Sequence, residues 1–204
     1  TVKISSSSIP GDFILPELLV EFTEKHPGVS VQVTQGDSQS ALEDLTDKKT
    51  DLAVVGTDRS LPGFTSVPFF HDELVLIVNR NHPLGSKKYI TMEEIGGLKL
   101  VGRTSGSGSR QTWERVYKSR TGALKEPDLQ FGHTMGVVNA VASGAEAGIV
   151  SRFAAQISHS VILLPFKPAV YRSFRLVYGL CETKAVEVLV SYLIQQAEHR
   201  GADA

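Results

Sequence analysis

The sequence predicts an α/β protein built as two units of similar pattern, and three observations carry this reading. From Val2 to Val55, short apolar strands alternate with helix-spaced apolar stripes in the order strand, helix, strand, helix, strand. That order builds a sheet through right-handed crossovers. A comparable alternation restarts near Lys99, and extended passages without helical period lie between the two cycles and again after Phe174.

Val2–Ile4 alternates and reads as a strand ending in a polar turn, Ser5–Ser8 followed by Ile9-Pro10-Gly11. Ile14, Leu15, Leu18, Leu19 and Phe22 share one face at helical spacing, with Pro16 tolerable only in the first turn. His26-Pro27-Gly28 stops this helix. Val29, Val31 and Val33 alternate with polar residues as a second strand. Gly36-Asp37-Ser38 opens a helix that turns Leu42 and Leu45 inward, with Ser38 as its expected N-cap. Leu52–Val55 is a continuous apolar run, as in a strand covered on both faces. Beyond Gly63, Phe64–Phe70 and Glu73–Val78 are two extended segments, and Asn81–Gly85 is a loop.

Lys99–Gly102 starts the second cycle as a strand, followed by Thr104–Arg110 and a helix carrying Trp113, Val116 and Tyr117. Leu129–Phe131 is a strand. His133-Thr134 opens a helix with Val137, Val138, Val141 and Ala142, closed by Gly144. Gly148–Val150 is a strand leading to a short helix at Ser151–Ile157. Val161–Pro165 and Phe174–Leu180 are the last strands, and Ala185–His199 is the last helix. The expected division is 1–78 plus 179–204 for the first lobe and 79–178 for the second. Leu74–Asn79 and Arg175–Leu180 serve as crossings, and two crossings permit hinge motion.

With 204 residues, 41% hydrophobic and 21% charged, the chain has enough apolar material for a core and too much for disorder. The net charge of −1 and the lack of a basic run argue against a nucleic-acid surface within this segment. One cysteine, Cys181, excludes an intramolecular disulfide and a thiolate zinc site. Apolar runs reach about five residues, against the ~20 needed to span a bilayer, and no charged-then-apolar leader opens the chain. A first residue of Thr rather than Met is what a fragment or processed form would show.

The polar clusters recur at one kind of place. Ser5–Ser8, Gly36-Asp37-Ser38, Gly56-Thr57, Thr104–Arg110 and His133-Thr134 each follow an expected strand, and most precede a helix. Open α/β sheets bind ligands outside the carboxyl ends of their strands. Helix starts offer unpaired N–H groups and a positive dipole end, to which Ser and Thr add hydroxyl hydrogens. The expected ligand is small and carries acceptor oxygens, as in a carboxylate or inorganic oxyanion. Within Ser105-Gly106-Ser107-Gly108-Ser109-Arg110, the glycines allow close backbone approach and Arg110 offers a guanidinium fork. It is not a P-loop, because no Lys-Ser/Thr pair follows the glycines. Each cluster also has a plain structural reading. Ser5–Ser8 serves as a turn, Ser38 as a cap, and His133 as a loop histidine or a pH-sensitive contact.

Enzymatic readings find little support. None of the six histidines stands at HExxH or His-x-His spacing, so no metal site is expected. Asp72-Glu73 and Glu93-Glu94 are adjacent rather than opposed carboxylates, and no G-x-S-x-G elbow is present. Trp113 and Phe131 are expected in the core.

Several segments taken together resemble the effector-binding domain of LysR-type transcriptional regulators. They are Ser7-Ser8-Ile9-Pro10-Gly11, Leu15-Pro16, Phe22 and His26-Pro27-Gly28-Val29, then Asp51–Gly56, Asp72–Val78 and His82-Pro83-Leu84, then Arg103–Arg110 and Val137–Ser151. The likeness spans nearly the whole chain and rests on the order and spacing of degenerate motifs. It implies two Rossmann-like lobes in a type 2 periplasmic-binding-protein fold, with a small anionic effector captured between them.

Carried over residue by residue, the family's effector positions fall on Ser7, Ser8, Ile9, Ser38, Gly56 and Thr57 in the first lobe. In the second they fall on Ser105, Ser107, Gly108, Ser109 and Thr134. Gly102-Arg103-Thr104 departs from the family pattern and leaves the effector open. The Ser-rich opening is most similar to members tied to sulfur or related anion metabolism. The resemblance further implies a cytoplasmic, non-enzymatic regulator without a cofactor. Such a regulator binds DNA through an N-terminal winged helix-turn-helix not contained in this chain. It implies a homodimer, tetrameric in the full-length form, with Ile14 and Leu18 of the first helix at a head-to-tail contact. The rival reading is an extracytoplasmic solute-binding protein for a small oxyanion, which shares the fold.

Overall fold

The computed structural model describes residues 1–201. In chain order the elements are β1 (Val2–Ser7), α1 (Leu15–Lys25), β2 (Val31–Gly36), α2 (Ser38–Thr46), β3 (Leu52–Val55) and β4 (Thr65–Asn79). There follow α3 (Met92–Ile95), β5 (Leu100–Arg103), α4 (Gly108–Thr121), β6 (Leu129–Phe131) and α5 (Thr134–Ala142). The last are β7 (Ala147–Ser151), α6 (Arg152–Ile157), β8 (Val161–Tyr178) and α7 (Lys184–Gly201). A π-helical turn at Pro10–Ile14 leads into α1, and Pro83–Ser86 forms a 3₁₀ turn.

The chain forms two compact units, one from residues 1–71 with residues 173–201 and one from Asp72–Arg172. The boundaries therefore fall at 71/72 and 172/173, not at the expected 78/79 and 178/179. Strand pairing is the reason. Leu74–Val78 pair antiparallel with Ala147–Ser151, which belong to the second unit. Leu176–Tyr178 pair antiparallel with Leu52–Val54, which belong to the first. Residues 202–204, assigned with the first lobe from sequence, lie outside the described residues.

In the first unit β1 is central, running parallel to β2 on one side and β3 on the other. The four residues of β3 are all buried, as their unbroken apolar run demands. Ala41, Leu42 and Leu45 of α2 pack on Ala53, Val55 and Val177. On α1, Leu15, Leu18 and Phe22 face inward. Ile14 and Leu18 are both buried within the unit, so neither is available for the dimer contact expected of them. The exposed apolar residue of α1 is Val20, at 61%.

The second unit orders its strands β4, β7, β5, β6, antiparallel between β4 and β7 and parallel thereafter. Its core gathers Leu74, Leu76 and Val78 with Ile149 and Phe166, and Trp113 stacks on Phe166 at 5.9 Å between centroids. Trp113 is thus core, as expected, whereas Phe131 is only half-buried. Gly122 ends α4 at φ 74°, a left-handed cap that glycine adopts without strain.

Two local expectations change. Ser5–Ser7 continue β1 rather than forming a turn. The strand is buried yet polar because its hydroxyls are satisfied in place: Ser5 Oγ donates to Asp44 Oδ2 at 3.0 Å, and Ser6 Oγ to the Ser7 carbonyl at 3.0 Å. Thr65–Asn79 is one continuous strand in place of the two expected at Phe64–Phe70 and Glu73–Val78, and Val161–Tyr178 is one in place of Val161–Pro165 and Phe174–Leu180.

Candidate functional site

Register brings the polar clusters of each unit to one sheet edge. In the first unit Ser7 pairs with Gly36 and Ser6 with Val54, so the three parallel strands end side by side. Ser8-Ile9, Gly36-Asp37-Ser38 and Gly56-Thr57 therefore leave from a common carboxyl edge. Asp37, not Ser38, is the N-cap of α2: its carboxylate accepts from the Ser40 amide at 2.8 Å, and the Asp37 amide donates to Ser40 Oγ at 3.0 Å. This capping box releases Ser38 for another task. Its Oγ accepts the Gly56 N–H at 3.1 Å, tying the end of β3 to the start of α2. Ser38 is 1% exposed, and because its oxygen is the acceptor in that bond, its hydrogen remains to give. Thr57 Oγ1 accepts from the Arg59 amide at 3.4 Å. Ser7 and Ser8 are buried at the strand end, and Ile9 packs its side chain into the core, so Ile9 offers a ligand only its backbone.

In the second unit Arg103 pairs with Phe131, so the loops after β5 and β6 share an edge. Ser107 is the N-cap of α4, with extended backbone and no side-chain capping bond. Instead Ser107 Oγ and Ser109 Oγ meet at 2.8 Å, both buried. Two hydroxyls sharing one bond leave one hydrogen over. Gly108 is buried and Ser105 exposed. His133 caps α5 through Nδ1, which accepts the Met135 amide at 3.3 Å, while its side chain stands exposed. Thr134 is buried, and its Oγ1 accepts from Arg103 Nη1 at 2.6 Å.

Arg110 does not serve as the expected fork. Its guanidinium donates to Glu114 Oε1 at 2.6 Å, Gln130 Oε1 at 2.8 Å, the Arg103 carbonyl at 3.2 Å and Glu126. These bonds lock α4 to β5, β6 and the segment between. The cation beside the Thr134 hydroxyl is Arg103, 4% exposed, with Nη2 on the Gly132 carbonyl at 2.8 Å. In the sequence Arg103 opens the Arg103–Arg110 segment and departs from the family pattern, and it is not among the expected effector positions. The available signal was an arginine closing an apolar strand, a placement that costs solvation unless its donors are satisfied.

Titratable groups away from these edges are shifted as well. Burial, then the charge of Glu187, pushes the Cys181 thiol up, away from the reactive thiolate. Glu93 is held below the usual carboxylate range by the hydrogen bond from its own backbone and then by Thr91, and Glu94 by Lys87 and then the Thr91 amide. Among the described residues no helix is long and apolar enough to cross a membrane.

A family model described as the LysR substrate binding domain matches residues 1–198. The HTH-type transcriptional activator CmpR of Synechocystis is 30% identical over 143 residues, covering 70% of this chain and 47% of that protein. Among solved structures, the Synechocystis CcmR regulatory domain in complex with 2-PG superposes with a TM-score of 0.86 at 19% identity, covering 96% of each chain. The effector-binding domain of QuiR in complex with shikimate gives 0.87 at 19%, covering 97% of each. These likenesses carry the fold, that of LysR effector-binding domains and hence of the type 2 periplasmic-binding class. The chain spans about half the length of the curated relatives it matches.

Proposed function

The chain belongs to the LysR substrate-binding domain family, and on that premise we propose that it is the effector-sensing part of a DNA-binding transcription regulator whose effector is a small anion. The observation that carries this is the donor balance at the two sheet edges. Ser38 holds a hydroxyl hydrogen to give in the first unit, and the Ser107–Ser109 pair holds one in the second. Arg103 places a buried cation beside Thr134. Donors in surplus and a buried cation suit acceptor oxygens and negative charge. Two structural relatives were solved with 2-PG and shikimate, which supports a small oxygen-rich ligand of this kind.

The effector positions are Ser7, Ser8, Ile9, Ser38, Gly56 and Thr57 in the first unit, and Ser105, Ser107, Gly108, Ser109 and Thr134 in the second. Arg110 is withdrawn to a supporting role, and His133 acts as a cap at the rim of its edge. Effector binding shifts a pre-existing equilibrium only by its differential affinity for the two forms, and 1–3 kcal/mol of coupling is typical of such sensors. The regulator acts in the cytoplasm as a homodimer, or a tetramer when full-length, with DNA bound by a domain outside this chain. Half-site spacing on DNA is geometrically demanding, so a small rearrangement changes occupancy.

A thermal-shift panel of sulfate, thiosulfate, phosphate, small phosphorylated acids, shikimate and small dicarboxylates tests the reading. The effector at ~100 times its dissociation constant stabilises the fold by about 2.7 kcal/mol. A panel in which only neutral or cationic compounds stabilise the chain overturns it.

A further inference from the structure

The chain passes between its units at two places, 71/72 and 172/173. The residues on the second-unit side of both, Asp72 and Arg172, bind each other. Arg172 Nε donates to Asp72 Oδ2 at 2.8 Å, and its Nη2 lies 2.7 Å from the same oxygen. The other carboxylate oxygen, Oδ1, accepts from Ser151 Oγ at 2.7 Å. The Asp72 side chain is 0% exposed and that of Arg172 6%. Ser151 is also the N-cap of α6, accepting the Phe153 amide at 3.2 Å. One residue further along, Glu73 binds Arg152 at 2.7 Å from Nε and 2.6 Å from Nη2. Asp72-Glu73, which offered no catalytic geometry in the sequence, is thus matched to Ser151-Arg152 and Arg172.

The first-unit side of the same two places is built differently. His71 and Ser173 share one side-chain contact, Nδ1 to Oγ at 3.1 Å, in an exposed setting. Further along these strands the Arg175 guanidinium donates to Ser66 Oγ at 2.7 Å and to the Ser66 carbonyl at 2.9 Å.

We propose that Asp72, Arg172 and Ser151 form a buried polar clamp that fixes both connecting strands to the start of α6, so that local opening at the crossings is confined to His71 and Ser173. The charges are out of water, so the carboxylate oxygens are held by three bonds that water cannot replace without opening the strands. An exposed His–Ser contact carries no such barrier. The clamp stands independently of what the effector is.

Residue-resolved amide hydrogen exchange on the 204-residue chain tests this. In the unchanged protein, Asp72–Leu74, Ser151–Ala154 and Arg172 exchange at least tenfold more slowly than His71 and Ser173. Asp72→Asn removes the carboxylate charge that Arg172 binds and speeds exchange around residues 72–74, 150–154 and 171–172 about a hundredfold or more, with α1 and α2 unchanged. Ser151→Ala, a milder change that keeps the ion pair, speeds exchange about tenfold at 151–154 only. Adding Arg172→Gln to Asp72→Asn recovers at least tenfold of the lost protection, because the buried cation is then removed together with its anion. Equal protection on the two sides of the crossings, loss spread evenly over α1 and α2, or a double variant with simply additive loss each overturns the clamp.

Discussion

Replacing Ser107 by Asp separates effector recognition from folding. Ser107 sits at the N-cap of α4 with φ −75° and ψ 128°, and its side chain makes no capping bond. Asp is as good an N-cap as Ser, and a carboxylate at a helix start gains about 0.3–1 kcal/mol from the dipole. The Ser109 hydroxyl, now 2.8 Å from Ser107 Oγ, can donate to the new carboxylate. The helix-start amides and the Ser109 hydroxyl offset part of the cost of a carboxylate at this buried position, so the folded state should lose no more than about 2 kcal/mol. An anionic effector meets the opposite outcome. A like charge about 4 Å away, at an effective dielectric near 20, costs about 4 kcal/mol, which is about a thousandfold in Kd. Urea denaturation measures the first quantity, and calorimetry with the anion selected by the thermal-shift panel measures the second. An unchanged Kd in a stably folded Ser107→Asp protein refutes the placement of the anion. Loss of binding together with more than about 2 kcal/mol of stability refutes the electrostatic reasoning, since the damage would then be to the fold.

Leu18→Ala should destabilise the first unit by about 2–5 kcal/mol in urea, because Leu18 is fully buried, whereas Val20→Ala should stay within about 0.5 kcal/mol; similar losses would contradict the orientation of α1. Asp37→Ala removes the capping box of α2 and should cost about 1 kcal/mol, while Ser38→Ala should spare the cap and weaken anion binding by calorimetry. The Glu94 carboxyl is held low by Lys87, so its contribution is present above the ordinary carboxylate pKa of about 4.3 and is lost as pH falls through the lower folded value. Urea midpoints of the unchanged protein and of Glu94→Gln should therefore differ at pH 6 and converge toward pH 3; a difference that stays constant with pH would count against this. Gly144 holds φ 115° with open space around it, so Gly144→Ala should cost about 1–3 kcal/mol through backbone strain alone.

Much of the fold was legible because its signals are local. The stripe Leu15, Leu18, Phe22 predicts the inward face of α1, and Leu129–Phe131 is a strand with the expected limits. The site was legible only as a set of places. Strand-to-helix turns mark where a ligand binds an open α/β sheet, and register gathers those turns at one edge in each unit. Which polar atom does what was not legible. Ser38 and Asp37 are adjacent, and either is a sound N-cap, so only the Gly56 amide resolves their roles. Arg110 looked available because its partners Glu126 and Gln130 are 16 and 20 residues away.

The sequence by itself determined most of the order of strands and helices, the two-unit pattern and the turns where polar side chains gather, since periodicity and turn residues act between near neighbours in the chain. Only the tertiary structure decided which unit owns β4 and β8 beyond the crossings, which hydroxyls keep a hydrogen to give, and that Arg103 binds the buried Thr134 hydroxyl while Arg110 binds Glu114, Glu126 and Gln130. Those outcomes depend on partners brought together from far along the chain, as when Asp72 meets Arg172 across 100 residues. Burial, which sets the strength of each such bond, exists only once the strands have paired.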